Sequence, residues 1–134
     1  VSTNICTVRG KVIKGRQLGR KIGFPTANLA LTSKLPYLEH GVYGVIVHWK
    51  EHRLPGVMNI GIRPTFHDGL QVSYEVHLFD FEQNLYNEEL QVYICFFVRR
   101  EISFKSVNEL IRQIQNDASY VKKQFSLPIW AISS

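Results

Sequence analysis

Five short apolar runs, each closed by Gly, Asp, Asn or Pro, precede a single stretch of helical period, and few folds accept that order. The runs occupy residues 6–13, 41–49, 54–60, 72–79 and 90–98, the last being the most apolar. Their alternation is that of strands with one buried face. Lys50-Glu51-His52-Arg53 reads as a polar turn, and His67-Asp68-Gly69 as another. Short strands punctuated in this way predict an antiparallel sheet, closed as a barrel or folded as a sandwich. The end of the chain changes period. Ser106-Val107-Asn108-Glu109 has the form of a capping box, after which Val107, Leu110, Ile111, Ile114, Ala118 and Val121 recur at helical spacing. One amphipathic helix of about 18 residues, stopped before Pro128, is expected to lie across the barrel.

Residues 1–134 suffice for one domain whose core needs neither disulfides nor a structural metal. No apolar run approaches membrane-spanning length. Cys6 and Cys95 both lie in strand-like runs, which predicts buried free thiols and a reducing, cytoplasmic setting. The 16 Lys and Arg outnumber the 11 Asp and Glu, so the net charge of +5 favours anionic partners. No block of cations marks a nucleic-acid tail, and no Cys/His cluster marks a zinc site.

The chemistry concentrates in Gly15-Arg16-Gln17-Leu18-Gly19-Arg20-Lys21-Ile22-Gly23-Phe24-Pro25-Thr26-Ala27-Asn28. Glycines let a backbone approach a ligand closely, and N–H groups beside Arg or Lys suit phosphate oxygens. Thr26 and Asn28 add neutral oxygens acceptable to a hard cation such as Mg²⁺; in an extended segment both point to one side. Pro25 fixes its own φ and restricts Phe24. The spacing matches neither Walker A nor a dinucleotide fingerprint. Read alone, the stretch is either a phosphate and metal site or a surface turn with solvated cations. Glu75, mid-strand on one face with Ser73 and His77, is either a general base or an outward strand carboxylate.

The order of the motifs resembles the riboflavin kinase (flavokinase) family, including the kinase half of bacterial bifunctional enzymes that also make FAD. The family pattern G-x-V-x-x-G-x-x-x-G-R-x-x-G-F-P-T-A-N corresponds to residues 10–28, and P-x-x-G-V-Y to residues around 36–43. N-I-G-x-R-P-T-F follows at 59–66, E-x-H-L-x-D-F at 75–81 and R-x-E-x-x-F at 99–104. The resemblance implies a closed six-stranded antiparallel Greek-key barrel with one C-terminal helix. It implies an ATP:riboflavin 5′-phosphotransferase with Mg²⁺, binding riboflavin or FMN and ATP or ADP, and expected as a monomer off the membrane. Glu75 would be the catalytic carboxylate, and Thr26 and Asn28 the metal ligands. Gly15, Gly19, Arg20, Gly23, Pro25, Thr26, Asn28 and Tyr86 would face ATP, and Arg99, Glu101 and Phe104 the flavin.

Three points qualify that match. Where the family has D-L-Y-G or D-F-Y-G, this chain has Asn84-Leu85-Tyr86-Asn87; Asn87 must then adopt the left-handed conformation that Gly takes freely. The H-x-G-H motif of a nucleotidyltransferase is absent, so the expected product is FMN. Tyr86 could equally be a core aromatic, and Arg99 with Glu101 a surface ion pair. The rival reading is a regulatory module of flavokinase fold that binds RNA linked to flavin metabolism, since small basic barrels with aromatic faces bind single strands.

Overall fold

The computed structural model describes residues 5–14, 25–35, 37–65, 69–81 and 83–126. Six strands and one helix follow in order: β1 (Cys6–Ile13), β2 (Ala27–Leu31), β3 (Gly41–Trp49), β4 (His52–Thr65), β5 (Gly69–Leu78), β6 (Glu89–Arg100) and α1 (Val107–Ser126). All strand pairs are antiparallel, and the order β1-β2-β5-β4-β3-β6 closes on itself. The β3–β4–β5 meander with β6 returning beside β3 is the Greek-key connection. Alternation fills the interior with Val8, Val45, Met58, Ile60, Val76 and Ile94, all essentially inaccessible to solvent.

The five apolar runs became β1, β3, β4, β5 and β6. The sixth strand is hidden in the glycine- and proline-rich stretch: β2 begins at Ala27, directly after Pro25 and Thr26, and pairs with β1 and β5. The expected turn at 50–53 is shorter than its polarity suggested. Only Lys50 and Glu51 turn, with Lys50 at φ +53°, while His52 is already paired with Trp49 and their rings stack 5.4 Å apart. Side-chain packing across the first strand pair overrides local polarity.

The helix forms where the cap predicts. The Ser106 hydroxyl accepts the N–H of Glu109 at 3.2 Å, and the Glu109 carboxylate reaches back one residue further than a standard box, to the N–H of Lys105 at 3.1 Å. Val107, expected on the buried stripe, is 58% exposed. It lies in the first turn, ahead of the helix's described ring and ion-pair contacts with the barrel, which begin at Asp117. The two cysteines are free and half-buried, and burial pushes both thiols above their ordinary value.

The helix is seated through Phe96 of β6. Its ring lies 5.3 Å from that of Phe125 and 6.2 Å from that of Tyr120, and its other edge rests on Gly44 of β3. A Cβ at position 44 would collide with the ring. Gly44→Ala is therefore expected to lower the unfolding free energy by about 1–3 kcal/mol through overpacking. Urea denaturation followed by circular dichroism measures this, with the midpoint moving to lower urea.

Candidate active site

Strand register places the polar side chains of interest in one row around the outer wall. Asn28 of β2 is the direct partner of Glu75 of β5, and Glu75 is the direct partner of Asn59 of β4. The row continues through Val42 of β3 to Arg99 of β6. Directly opposed residues share a face, and the neighbours Val76, Met58 and Leu29 point into the core, so this row faces outward. Asn28 is nevertheless only 5% exposed. Thr26 precedes it by two residues, is half-buried, and shares its side of the extended segment.

The neighbouring row ties this segment down. His77 Nδ1 lies 2.8 Å from the carbonyl oxygen of Pro25. A carbonyl only accepts, so Nδ1 carries the proton and the ring clamps the entrance to β2 onto β5. Strand alternation puts His77 on one face with Glu75, which suggests hydrogen bonding or a satisfied barrel histidine; the Pro25 carbonyl is not legible in that pattern. Asn59 opens the N-I-G-x-R-P-T-F motif. Its Oδ1 is buried with no hydrogen-bond partner among the described residues, an unusual state for a polar atom in a folded protein.

At the far end of the row stands an ion pair that sequence reading missed. Arg99 donates from Nε to both carboxylate oxygens of Asp117, at 3.0 and 3.1 Å, and from Nη2 to Oδ2 at 2.8 Å. Gln113 donates to the same carboxylate at 2.9 Å. The alternative Arg99–Glu101 surface ion pair does not form; Glu101 is exposed and its carboxylate lies over Gly61 of β4. Strand alternation sends Arg99 toward the helix, where Asp117 offers two acceptors in a fork that matches the guanidinium. Asn28 and Asp117 are the two buried polar side chains among the described residues. Asp117 could have been found, because it falls at the Leu110, Ile114, Val121 spacing where an apolar residue would be usual.

Beyond Arg99 a shallow groove of about 280 Å³ is lined by Ile102, Ser103, Phe104, Glu109, Arg112, Gln113 and Asn116. Phe104 is half-buried, with the Arg99 guanidinium carbon 6.0 Å from its ring centre. Near the other end, Tyr86 is 44% exposed, which removes the core-aromatic reading, and Lys14 Nζ stands 5.7 Å from its ring centre. The departure from the family turn is accommodated. The Asn84 side-chain oxygen accepts the N–H of Tyr86 at 2.9 Å, and Asn87 takes φ +68° while its N–H bonds Val12 at 3.0 Å. Gly15, Arg16, Gly19, Arg20, Lys21 and Gly23 lie outside the described residues.

Among the described residues no cluster of three His, Cys, Asp or Glu side chains could hold a metal. What the row offers is one carboxylate flanked by neutral oxygens, a donor set suited to a hard cation that takes most of its charge from a ligand's phosphates.

The family model described as riboflavin kinase matches residues 3–125. The chain belongs to the flavokinase family. Among curated relatives it is 44% identical over 120 residues to the RNA-binding riboflavin kinase RibR of Bacillus subtilis, covering 90% of this chain and 51% of that protein. It is 41% identical over 123 residues to a bifunctional riboflavin kinase/FMN adenylyltransferase of Buchnera aphidicola, covering 90% and 39%. The chain thus spans about half the length, or less, of these relatives. A solved structure titled a macrolide-efflux protein from Streptococcus pneumoniae superposes with a TM-score of 0.80 at 34% identity, over 87% of this chain and 38% of that one. Riboflavin kinase from Trypanosoma brucei shares the fold, with a TM-score of 0.61 at 21% identity over 91% and 80% of the two chains. The six-stranded barrel with its terminal helix, expected from the motifs, is the architecture found.

The Arg99–Asp117 pair gives a stability test for this flavokinase barrel. Asp117→Ala leaves a guanidinium that is about one-fifth exposed without its counter-charge. A loss of about 2–3 kcal/mol is expected, at the lower end for a broken buried pair. Asp117→Asn, which keeps one acceptor oxygen, should fall between alanine and the parent in the same urea titration.

Proposed function

We propose that this chain transfers the terminal phosphoryl group of Mg²⁺-bound ATP to the ribityl 5′-hydroxyl of riboflavin, giving FMN and ADP. The observation that supports it best is the register pairing of Asn28 with Glu75, which sets a candidate base beside a candidate cation ligand on one wall. Glu75 takes the hydroxyl proton as that oxygen bonds to the γ-phosphorus. The bond from phosphorus to the β–γ bridging oxygen breaks, and ADP leaves with it. When bound, Mg²⁺ would supply charge neutralisation at the transferring phosphate, where most of the catalysis in phosphoryl transfer resides. Thr26 and Asn28 would supply side-chain oxygens to hold it, and His77 keeps their segment against β5 through Pro25. Gly15, Gly19, Arg20 and Gly23 would cradle the β- and γ-phosphates, with Tyr86 at the nucleotide's edge.

The flavin ring belongs in the groove beyond Arg99, where Phe104 offers an aromatic wall and Gln113 and Asn116 offer polar edges. Arg99 then acts as a brace between β6 and the helix, because Asp117 occupies its Nε and Nη2. Glu101, at the rim beside Gly61, is the weaker flavin contact.

A second reading draws on another outer row, Arg9–Gln91–His48–Arg53, which crosses β1, β6, β3 and β4. The His48 and Tyr93 rings lie 4.3 Å apart between its two arginines. Burial, and then Arg53, push His48 below its ordinary value, so the ring is neutral at pH 7. Cations around a close pair of aromatic rings suit a single-stranded nucleic acid, and RNA binding stands in the name of one relative.

Incubation with riboflavin, ATP and Mg²⁺, with the products separated by chromatography, decides between them. FMN is the expected product; FAD would add an adenylyl transfer the reading excludes. No flavin phosphate, together with salt-sensitive RNA retention, would favour the second reading. Glu75→Gln is expected to cut turnover by at least about 100-fold, the usual scale for a lost general base, with riboflavin binding kept. Near-parental turnover would remove Glu75 from that role.

A further inference from the structure

We propose that Asn59 contacts the substrate, its side-chain oxygen accepting a hydrogen bond from a secondary hydroxyl of the ribityl chain. The inference rests on the kinase reading above and assigns a residue that reading leaves unused. Asn59 occupies the middle of the outer row, one strand from Glu75 and two from Arg99. Adjacent strands are about 4.8 Å apart. A polyol running from a ring in the Phe104 groove to a 5′-hydroxyl at Glu75 must pass over β4, and Asn59 is the β4 residue on that line. Its neighbour in the row toward β3, Val42, is apolar, so Asn59 offers the polar group there.

The state of the side chain points the same way. A carboxamide oxygen buried without a donor is destabilising, because it has lost water and gained nothing. Asn59 Oδ1 is in that condition among the described residues, while the carboxylate beside it is an acceptor and cannot supply a proton donor when ionised. Sugar hydroxyls are donors, and once the half-buried carboxamide turns its covered oxygen outward, a chain of them brought along this wall would satisfy it. The same contact would fix the polyol's conformation, so that the terminal alcohol meets Glu75 rather than swinging past it.

The test compares riboflavin with a flavin whose N10 chain is 5-hydroxypentyl, which keeps the terminal alcohol and lacks the three secondary hydroxyls. Quenching of flavin fluorescence gives a Kd for each with the parent protein, Asn59→Leu and Asn59→Asp, without requiring turnover. The parent is expected to prefer riboflavin by about 10-fold or more, the scale of one hydrogen bond to a buried acceptor. Asn59→Leu should erase that preference by weakening riboflavin alone, and Asn59→Asp, which keeps an acceptor oxygen, should retain most of it. The ratio of the two constants does not depend on the fraction folded. Equal weakening of both flavins by Asn59→Leu, or no preference in the parent, overturns the proposal. If the parent makes no FMN from riboflavin and ATP, the kinase reading itself fails; if it makes FMN and Asn59→Leu keeps the preference, Asn59 alone is excluded.

Discussion

The position of β5 between β2 and β4 is the constraint on which the rest of the molecule depends. Glu75 has Asn28 on one side and Asn59 on the other only because both ladders hold their register. Strand side chains repeat every two residues, so a slip by one would turn Glu75 inward and Val76 outward. That slip is strongly disfavoured: Val76 is 1% exposed and faces Met58, itself wholly buried, across the β4–β5 ladder. The apolar interior therefore fixes the polar exterior. Barrel closure adds to this, because a register shift in one ladder would have to be absorbed by every other ladder around the ring.

Each end of the row is anchored separately. At β2 the anchor is the His77 bond to Pro25, reinforced by proline's fixed φ, which removes freedom at the point where the chain enters the strand. At β6 the Arg99–Asp117 fork joins the strand to the helix, and Phe96 with Gly44 beneath it seats the helix two turns further on. An ion pair of this kind adds little net stability over apolar packing, but removing one partner is costly, so it restricts how the helix can sit. The consequence for chemistry is that donors on β2, β5 and β4 are carried by paired backbone, where positions vary less than on loops.

Much of this architecture could be read from the chain because alternation and capping are local signals. Five strands follow from apolar runs, and the helix follows from Ser106 and Glu109. The sixth strand did not, since β2 has five residues and its opening, Ala27-Asn28, looks like site chemistry rather than sheet. The resemblance named Asn28 and Glu75 as candidates; that they would be direct partners across a ladder joining residues far apart in sequence was not legible. Asp117 was missed for a related cause. Its partner lies 18 residues away on a strand, and the nearer Glu101 offered a pairing that strand geometry then denied. Asn84 and Asn87 show the opposite case, where an odd turn sequence is evident in the chain and its backbone solution is simple, an Asx turn and one left-handed residue.

On the proposed kinase reading, the outer row would let one wall serve two unlike ligands. At the β2 end stand small neutral oxygens and a carboxylate, suited to a cation and phosphates. At the β6 end the guanidinium is already occupied by Asp117, and the groove beside it carries Phe104 and the amides of Gln113 and Asn116, with Glu109 and Arg112 also in its lining. Between them, Val42 separates Asn59 from the Arg99 pair. On that reading, polarity changes along the row in the order that phosphate, alcohol and ring would need. An extended substrate laid in the reverse direction would press its apolar ring against Asn28 and Glu75 and its charge against a satisfied ion pair. Orientation is set by the cost of the wrong arrangement as much as by contacts in the right one.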